Sequence, residues 1–363
     1  MTVWRWFRDW RERRAALHEL RGLARDTEAD LLDRNDNPLR RAAHFIVQSN
    51  FTEAAEHWEL ARALLPNAIL ESQEAFDILA ALKRYDEAEA LMRERLRRSA
   101  TDRFALAALA RISEVRGDLE EAVERWRAFR DRAGNQANGY YGLARCLLAL
   151  GRLDEAEREC DQAIRRGPDE LDGWVVRGQV SDRRGDWEES IARWRKLTET
   201  HRFMPGFAYA ANAMMQLGRI DEAEAWLEEP ARLYGNTLEI VVMHAQVAQR
   251  RGDLPAAIDR WAVVRRRNPE FQAGYLEEAR CLTGNGRHDE ADAVLREAID
   301  RFPDQVWPAR EYAHVAHGRG DTREAAIRWT SLQARFPGAD PGFTPDDAAL
   351  NTAGGEADQS RPR

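Results

Sequence analysis

One stretch of the sequence decides the fold: NGYYGLARCLLALGRLDEAERECDQAIRRGPD, from Asn138 to Asp169. Apolar residues recur at helical spacing in its first half, from Tyr140 to Leu148. Gly151 interrupts this pattern, and acidic residues then open a second helical run that ends before a proline. The stretch therefore predicts two antiparallel helices joined by a tight turn.

The same pattern repeats along most of the chain. Glycine recurs at intervals of 33 or 34 residues, at Gly117, Gly151, Gly185, Gly218, Gly252, Gly286 and Gly320. Two further steps of 34 residues towards the N-terminus reach Lys83 and Ser49. A small residue follows five positions after each of these sites: Ala54, Ala88, Ala122, Ala156, Ser190, Ala223, Ala257, Ala291 and Ala325. Because small side chains let two helix axes approach closely, this row predicts a series of packed helix pairs.

The unit that begins at Ala137 resembles the tetratricopeptide repeat family. The residues that carry the resemblance are Tyr140, Leu143, Ala144, Leu147, Ala156, Ala163 and Pro168. Closing prolines recur at Pro66, Pro168, Pro269, Pro303 and Pro337, where a missing amide hydrogen ends a helix. The resemblance implies an all-α, right-handed α-solenoid of about nine helix-turn-helix units over residues 35–340.

Two units depart from the family pattern. Phe76 stands where the other units carry alanine or glycine, which predicts a distorted or shifted unit from about Ile69. Pro230 lies inside a predicted second helix, where it removes a hydrogen bond. A one-residue deletion precedes that unit, between His201 and Pro205. This region is either a hinge or a tolerated defect.

The sequence also has a second, longer period of two repeats. Aspartate follows the glycine in every second unit, as in Gly117, and arginine follows it in the others, as in Gly151. Tryptophan accompanies the first class at one fixed position: Trp58, Trp126, Trp194, Trp261 and Trp329. This alternation indicates growth by duplication of a two-unit block of about 68 residues, with the tryptophans in the core.

Composition excludes several classes of protein. The sequence has 44% apolar and 33% charged residues and no β-type alternation. It shows neither a membrane-spanning run nor a signal peptide, so we expect a cytoplasmic protein. Its net charge of −8 argues against nucleic acid as the main partner. Arginine greatly outnumbers lysine, which favours a GC-rich bacterial source.

No residue pattern points to catalysis or to a cofactor. Cys146, Cys160 and Cys281 lack the spacing of metal ligands and are expected in the core. His314 and His317 lie three residues apart, but no third ligand is evident, so we predict no metal site. Phosphate-binding loops, nucleophile elbows and dinucleotide fingerprints are absent from the sequence.

The flanks differ from the repeats. Residues 1–34 predict an amphipathic helix with Trp6, Phe7 and Trp10 on one face and arginines on the other. This helix either caps the first unit or docks on a partner or a membrane surface, in which case the protein is peripheral to the membrane. Residues 341–363 are poor in apolar anchors and are expected to be disordered.

The repeat architecture indicates a non-catalytic scaffold that binds an extended segment of another protein in a concave groove. Two alternatives stay open. The chain could be an accessory subunit of a bacterial envelope-polysaccharide, glycosyltransferase or sulfotransferase assembly, or it could be a regulator that senses a peptide.

The resemblance implies that the fifth, ninth, twelfth and thirteenth positions of each unit line this groove. The proposed partner-binding residues are Arg111, Tyr141, Arg145, Gln179, Asn212, Gln246, Arg280 and His314. Ala43 and Asp77 take the same ninth position, and Val175, Ala208, Val242 and Leu276 take the apolar fifth position with Tyr141. Amides could pair with a peptide backbone, arginines with carboxylates, and the apolar residues with side chains.

Overall fold

The computed structural model of the chain describes residues 37–64, 66–134 and 136–340. Every secondary-structure element within these ranges is an α-helix, as the sequence predicts. The 19 helices fall into two compact units, which meet in sequence between Asp186 and Trp187. None of these helices is both long enough and apolar enough to cross a lipid bilayer.

The first unit contains ten helices. In chain order they are α1 (Pro38–Val47), α2 (Phe51–Leu64), α3 (Pro66–Glu71), α4 (Glu74–Ala81), α5 (Tyr85–Arg98), α6 (Arg103–Arg116), α7 (Leu119–Arg132), α8 (Ala137–Ala149), α9 (Leu153–Arg166) and α10 (Leu171–Arg184). Most second helices pack on the first helix of their own pair and on the first helix of the next pair, as α7 does on α6 and α8.

The second unit contains nine helices with the same order of packing. They are α11 (Trp187–His201), α12 (Met204–Gln216), α13 (Ile220–Tyr234), α14 (Leu238–Arg251), α15 (Leu254–Arg267), α16 (Gln272–Gly284), α17 (His288–Arg301), α18 (Val306–Gly318) and α19 (Thr322–Arg335). Because each helix contacts mainly its neighbours in sequence, each unit is an α-solenoid of stacked helix pairs.

The recurring glycine forms the turn within each pair. Gly151 adopts a left-handed φ of 77°, which a glycine reaches without a steric cost. The amide of Arg152 then donates to the carbonyl of Leu147 at 2.9 Å, a bond that closes the end of α8. The chain reverses within three residues, and α9 packs back on α8.

The two predicted core rows are confirmed. The small residues from Ala54 to Ala325 are all buried, and most have no exposed surface at all. The five tryptophans of the alternate repeats are at most 5% exposed. Cys146, Cys160 and Cys281 are buried free thiols, also as predicted.

Close packing explains one further small residue. A Cβ atom on Gly142 in α8 would lie 2.6 Å from the indole of Trp126 in α7. Any larger side chain would therefore push the tryptophan out of its place between two successive repeats.

The unit that contains Phe76 is distorted, as predicted. Its first helix is broken into α3 and α4, with Ser72 and Gln73 between them. The Phe76 ring is buried and meets the Phe104 ring edge-on at 5.6 Å. A large aromatic side chain thus fills a position that alanine or glycine takes in the other repeats, and the helix accommodates it by the break.

The region of the deletion is irregular in two respects. Arg202 has a left-handed φ of 50°, and only two residues separate α11 from α12. Pro230 is buried, and α13 continues past it to Tyr234. The helix therefore tolerates the missing hydrogen bond without being broken.

The predictions for residues 1–34 and 341–363 concern ranges outside the described residues. The amphipathic helix with Trp6, Phe7 and Trp10 and the disordered tail stay predictions.

Candidate partner-binding groove

The ninth position of each repeat lies on the accessible side of the first helix. In α8, Arg145 is exposed while Ala144 beside it is fully buried. The exposed members of the row are Asp77, Arg111, Arg145 and Arg280, and the half-buried members are Ala43, Gln179, Asn212, Gln246 and His314. We call these nine residues the ninth-position row. None of the nine is fully buried, although Ala43 packs against the core.

In the first unit, Arg145 is already bound to an acid of the preceding repeat. Its guanidinium donates from Nε at 3.0 Å and from Nη2 at 2.6 Å to one carboxylate oxygen of Glu114. The other oxygen of Glu114 accepts a hydrogen bond from the indole of Trp126. Burial acts to lower the pKa of Arg145, but Glu114 outweighs it, so that the pKa is raised. Arg145 is therefore a fixed cation with an internal partner.

Three other residues of the first unit have side chains that make no hydrogen bond with a described residue. Arg111 is exposed, and within the described residues its guanidinium makes neither a hydrogen bond nor an ion pair. Tyr141 is half-buried, and burial raises the pKa of its hydroxyl. The amide of Gln179 on α10 is half-buried and makes no hydrogen bond with any residue that the structure describes.

In the second unit, the row begins with two amides. Asn212 on α12 and Gln246 on α14 are half-buried, and neither side chain hydrogen bonds to another described residue. One turn beyond Gln246, the amide of Gln249 is satisfied. It accepts from the indole of Trp261 at 3.2 Å and donates to Glu277 at 3.1 Å.

Arg280 continues the row on α16 and, like Arg145, has internal partners. It donates to Glu277 at 3.3 Å and to Glu311 at 3.2 Å. The next member, His314 on α18, is half-buried. Among the three arginines of the row, Arg111 alone makes no ion pair with a described residue, and its pairing with a carboxylate of a partner stays a prediction.

The apolar fifth positions are less accessible than predicted. Val242 is 1% exposed and Ala208 is 8% exposed, so both belong to the core and do not form a groove wall. Tyr141, Val175 and Leu276 are half-buried and do present apolar surface. The correction has a simple cause, because the fifth residue also faces the neighbouring first helix wherever two such helices pack together, as α12 and α14 do.

Sequence reasoning missed the acids that hold the arginines. Glu114 takes the twelfth position of its repeat, which the family resemblance places on the same face, and this was the available signal. Glu277 and Glu311 take the sixth position, for which the sequence gives no signal until two first helices are placed side by side.

Metal binding and thiol chemistry find no support in the described ranges. No group of three or more His, Cys, Asp or Glu side chains is placed there to hold a metal ion. Burial raises the pKa of the Cys281 thiol to about 11, and the pKa of Cys146 is also raised by burial. Thiols with raised pKa values are poor nucleophiles at neutral pH.

Comparisons with known proteins agree with the repeat architecture. A family model described as tetratricopeptide repeat matches residues 107–170 and 242–306, and a second model of the same description matches residues 207–229. No curated protein matches the sequence.

Solved structures share the fold at low sequence identity. The yeast protein Tom70 is 14% identical over 96% of this chain and 96% of its own, with a TM-score of 0.55. A tetratricopeptide repeat protein from Parabacteroides merdae is 15% identical over 62% of this chain and 90% of its own, with a TM-score of 0.49. The matching family models show that this chain contains tetratricopeptide repeats, and the likeness to Tom70 shows a shared fold.

Proposed function

We propose that the chain is a non-catalytic scaffold that binds an extended segment of another protein along the ninth-position row. Tetratricopeptide repeats are protein-interaction scaffolds, and this chain has their architecture. The open question is which face binds and by which chemistry.

One observation supports the row above all others. The side-chain amides of Gln179, Asn212 and Gln246 are accessible, and none makes a hydrogen bond within the described residues. An amide carries both a donor and an acceptor, which is what the backbone of an extended peptide offers in return. Such amides on the first helices suit a partner without regular structure of its own.

The charged members of the row would contribute differently. Arg145 and Arg280 are neutralised by Glu114, Glu277 and Glu311, so they would shape the surface more than attract a charged ligand. Arg111 beside Tyr141 is the cation that remains for a carboxylate of the partner.

Site-specific photo-crosslinking in cells of the native host tests the proposal. A photoreactive amino acid at Gln246 should crosslink to one short stretch of a partner, which mass spectrometry then maps. Asp259 is the matched control, because it is exposed on the second helix of the same repeat. Crosslinks at Asp259 but not at Gln246 would assign binding to the second helices and contradict the proposal.

The identity of the crosslinked protein separates the alternatives. An enzyme of polysaccharide or transferase chemistry would favour the role of accessory subunit, whereas a short free peptide would favour the role of sensor.

A further inference from the structure

We call a repeat a Gly-Arg repeat when arginine follows the turn residue, as in Gly151 and also in Lys83, and a Gly-Asp repeat when aspartate follows it, as in Gly117. A cluster of acids and arginines joins each Gly-Arg repeat to the Gly-Asp repeat that follows it. In the first unit, Arg116 binds both Asp86 and Glu89, and Arg125 binds Glu89 at 2.5 Å. The side chain of Glu89 is only 11% exposed. Arg125 also donates to the carbonyl of Leu109 at 2.8 Å, so its guanidinium is fixed from two sides. We call this arrangement the acid–arginine cluster.

Equivalent contacts recur at the equivalent positions of three later junctions. At the first of them, Arg184 binds Asp154 and Glu157. At the second, Arg251 binds Asp221 and Glu224, and Arg260 also binds Glu224. At the third, Arg328 binds Asp292 through two hydrogen bonds of 2.6 Å. Arg260 and Arg328 repeat the bond to a first-helix carbonyl, to His244 at 2.7 Å and to Tyr312 at 2.8 Å. The cluster is therefore a regular feature with the two-repeat period.

The intervening junctions combine aromatic packing with ion pairs at other positions, such as Arg265 with Glu278. Trp126 lies against Gly142 of the next repeat, and Trp194 stacks on Tyr209 with the ring centroids 4.3 Å apart. The Gly-Arg repeats carry smaller side chains at the tryptophan position, all fully buried: Met92, Cys160, Leu227 and Leu295.

The two junctions are not interchangeable. Where the Gly-Arg repeats place the second acid of the cluster, the Gly-Asp repeats have Val123, Ile191, Ile258 and Ala326. Where the Gly-Asp repeats place the first arginine, the Gly-Arg repeats have Leu82, Leu150, Leu217 and Asn285. Two Gly-Asp repeats in succession would thus leave partly buried guanidinium groups, such as that of Arg184, against aliphatic side chains, an arrangement that is destabilising.

We infer that the acid–arginine clusters enforce strict alternation, so that a Gly-Asp repeat is accepted only after a Gly-Arg repeat. Replacing a buried ion pair by apolar residues is often neutral, which means that such clusters do more for specificity than for net stability. The smallest block that can be removed without breaking the rule is then two repeats. A solenoid whose junctions were all alike would accept the removal of one.

Two deletions of the full chain test this rule. Removal of Ala137 to Phe203 takes out two repeats and leaves a Gly-Asp repeat followed by a Gly-Arg repeat, as in the native order. Removal of Ala137 to Glu170 takes out one Gly-Arg repeat. The Gly-Asp repeat that contains Arg184 then directly follows the Gly-Asp repeat that contains Val123. The shorter deletion leaves the longer protein, which nearest-neighbour energetics would make the more stable of the two. The rule predicts the opposite: the one-repeat deletion should have a thermal midpoint at least about 10 °C lower than that of the two-repeat deletion, or should show no cooperative transition.

A repair variant separates the rule from a general failure to fold. In the one-repeat deletion, Val123→Glu restores the missing acid, Glu120 already supplies the other, and Trp126→Cys reproduces the native Cys160. These two substitutions should recover most of the lost midpoint in circular dichroism melts. The same deletion with the exposed Glu124→Gln is the control and should recover nothing. Equal midpoints for the two deletions, or a repair variant no better than the control, would overturn the inference.

Discussion

Two repeats have a side chain at the position where the others have the turn glycine. Lys83 adopts a φ of 59° and Ser49 a φ of 60°, which are left-handed values like that of Gly151. A residue with a Cβ atom pays about 1 to 2 kcal/mol for this conformation. The chain geometry of the repeat therefore imposes the left-handed turn whether or not a glycine is present.

Lys83→Gly should stabilise the protein. The Lys83 side chain is exposed and makes no hydrogen bond or ion pair with a described residue, so it is removed at little loss. Relief of the left-handed strain, partly offset by the greater freedom of glycine in the unfolded chain, should raise the free energy of unfolding by about 0.5 to 1 kcal/mol. Urea titration followed by circular dichroism measures the change.

The reverse substitution is the control at the residue scale. Gly151→Ala adds a methyl group that meets no atom within 4 Å, so any loss reflects the backbone alone. We expect a loss of about 1 kcal/mol. If Lys83→Gly destabilised the protein, the left-handed conformation at that turn would not be the strained one described here.

The broken first helix of the second described repeat depends on one arginine of α5. Arg95 donates from Nη1 to the carbonyl of Glu71, the last residue of α3, at 3.0 Å. It also donates from Nε to Asp102 at 2.9 Å, and its guanidinium lies 5.3 Å from the centre of the Phe104 ring. A forked side chain thus links the end of α3 to the start of α6.

Arg95→Lys should destabilise this repeat by about 1 to 2 kcal/mol, because an ammonium group lacks the forked donors with which the guanidinium reaches both acceptors. Hydrogen exchange should show faster exchange in α3 and α4 than in the native protein. Arg97→Lys on the same helix is the control, since the Arg97 side chain is 74% exposed and should change stability by less than about 0.5 kcal/mol. Equal effects of the two variants would contradict the role assigned to Arg95.

At the scale of the whole molecule, the acid–arginine clusters make stability depend on pH. Burial acts to raise the pKa of Glu89 and of Glu224, but hydrogen bonds from the arginines outweigh it, and both pKa values are lowered. A carboxyl group with a lowered pKa contributes stability that is present above its unfolded pKa of about 4.3. That stability is lost as the pH falls through the folded pKa.

The double variant Glu89→Gln, Glu224→Gln should therefore melt at a lower temperature than the native protein at pH 7. The difference should narrow as the pH falls below the unfolded pKa of about 4.3 and through the lowered folded pKa, where the native carboxylates become protonated as well. Glu229→Gln, at an exposed position of α13, is the control and should change the midpoint little at either pH. A difference that stays constant from pH 7 to pH 3 would mean that the ionised form of these acids is not what stabilises the junctions.

Periodicity in the sequence predicts the fold because each repeat follows the same local rules. The glycine turns, the row of small residues and the buried tryptophans are all visible at spacings of one or two repeats. Which charged residues pair with each other is not visible there, because partners such as Glu114 and Arg145 are 31 residues apart and meet only when two first helices lie side by side. The same limit explains why Val242 was assigned to a groove wall, although packing between first helices buries it.

Some residues of the ninth-position row are bound to other residues of the chain, and others make no hydrogen bond with a described residue. This difference gives the sharpest test of the proposed partner surface. The triple variant Gln179→Ala, Asn212→Ala, Gln246→Ala should keep the native melting temperature, since these amides make no hydrogen bond within the described residues. It should lose about 1.5 to 4.5 kcal/mol of binding free energy, or about 0.5 to 1.5 for each hydrogen bond to the partner. Calorimetry with the crosslinked partner segment, made as a synthetic peptide, measures this loss.

Arg145→Ala is the contrasting variant, because it removes the ion pair of Glu114 and should lower stability as well. Full affinity in the triple variant would place the partner on another face of the repeats.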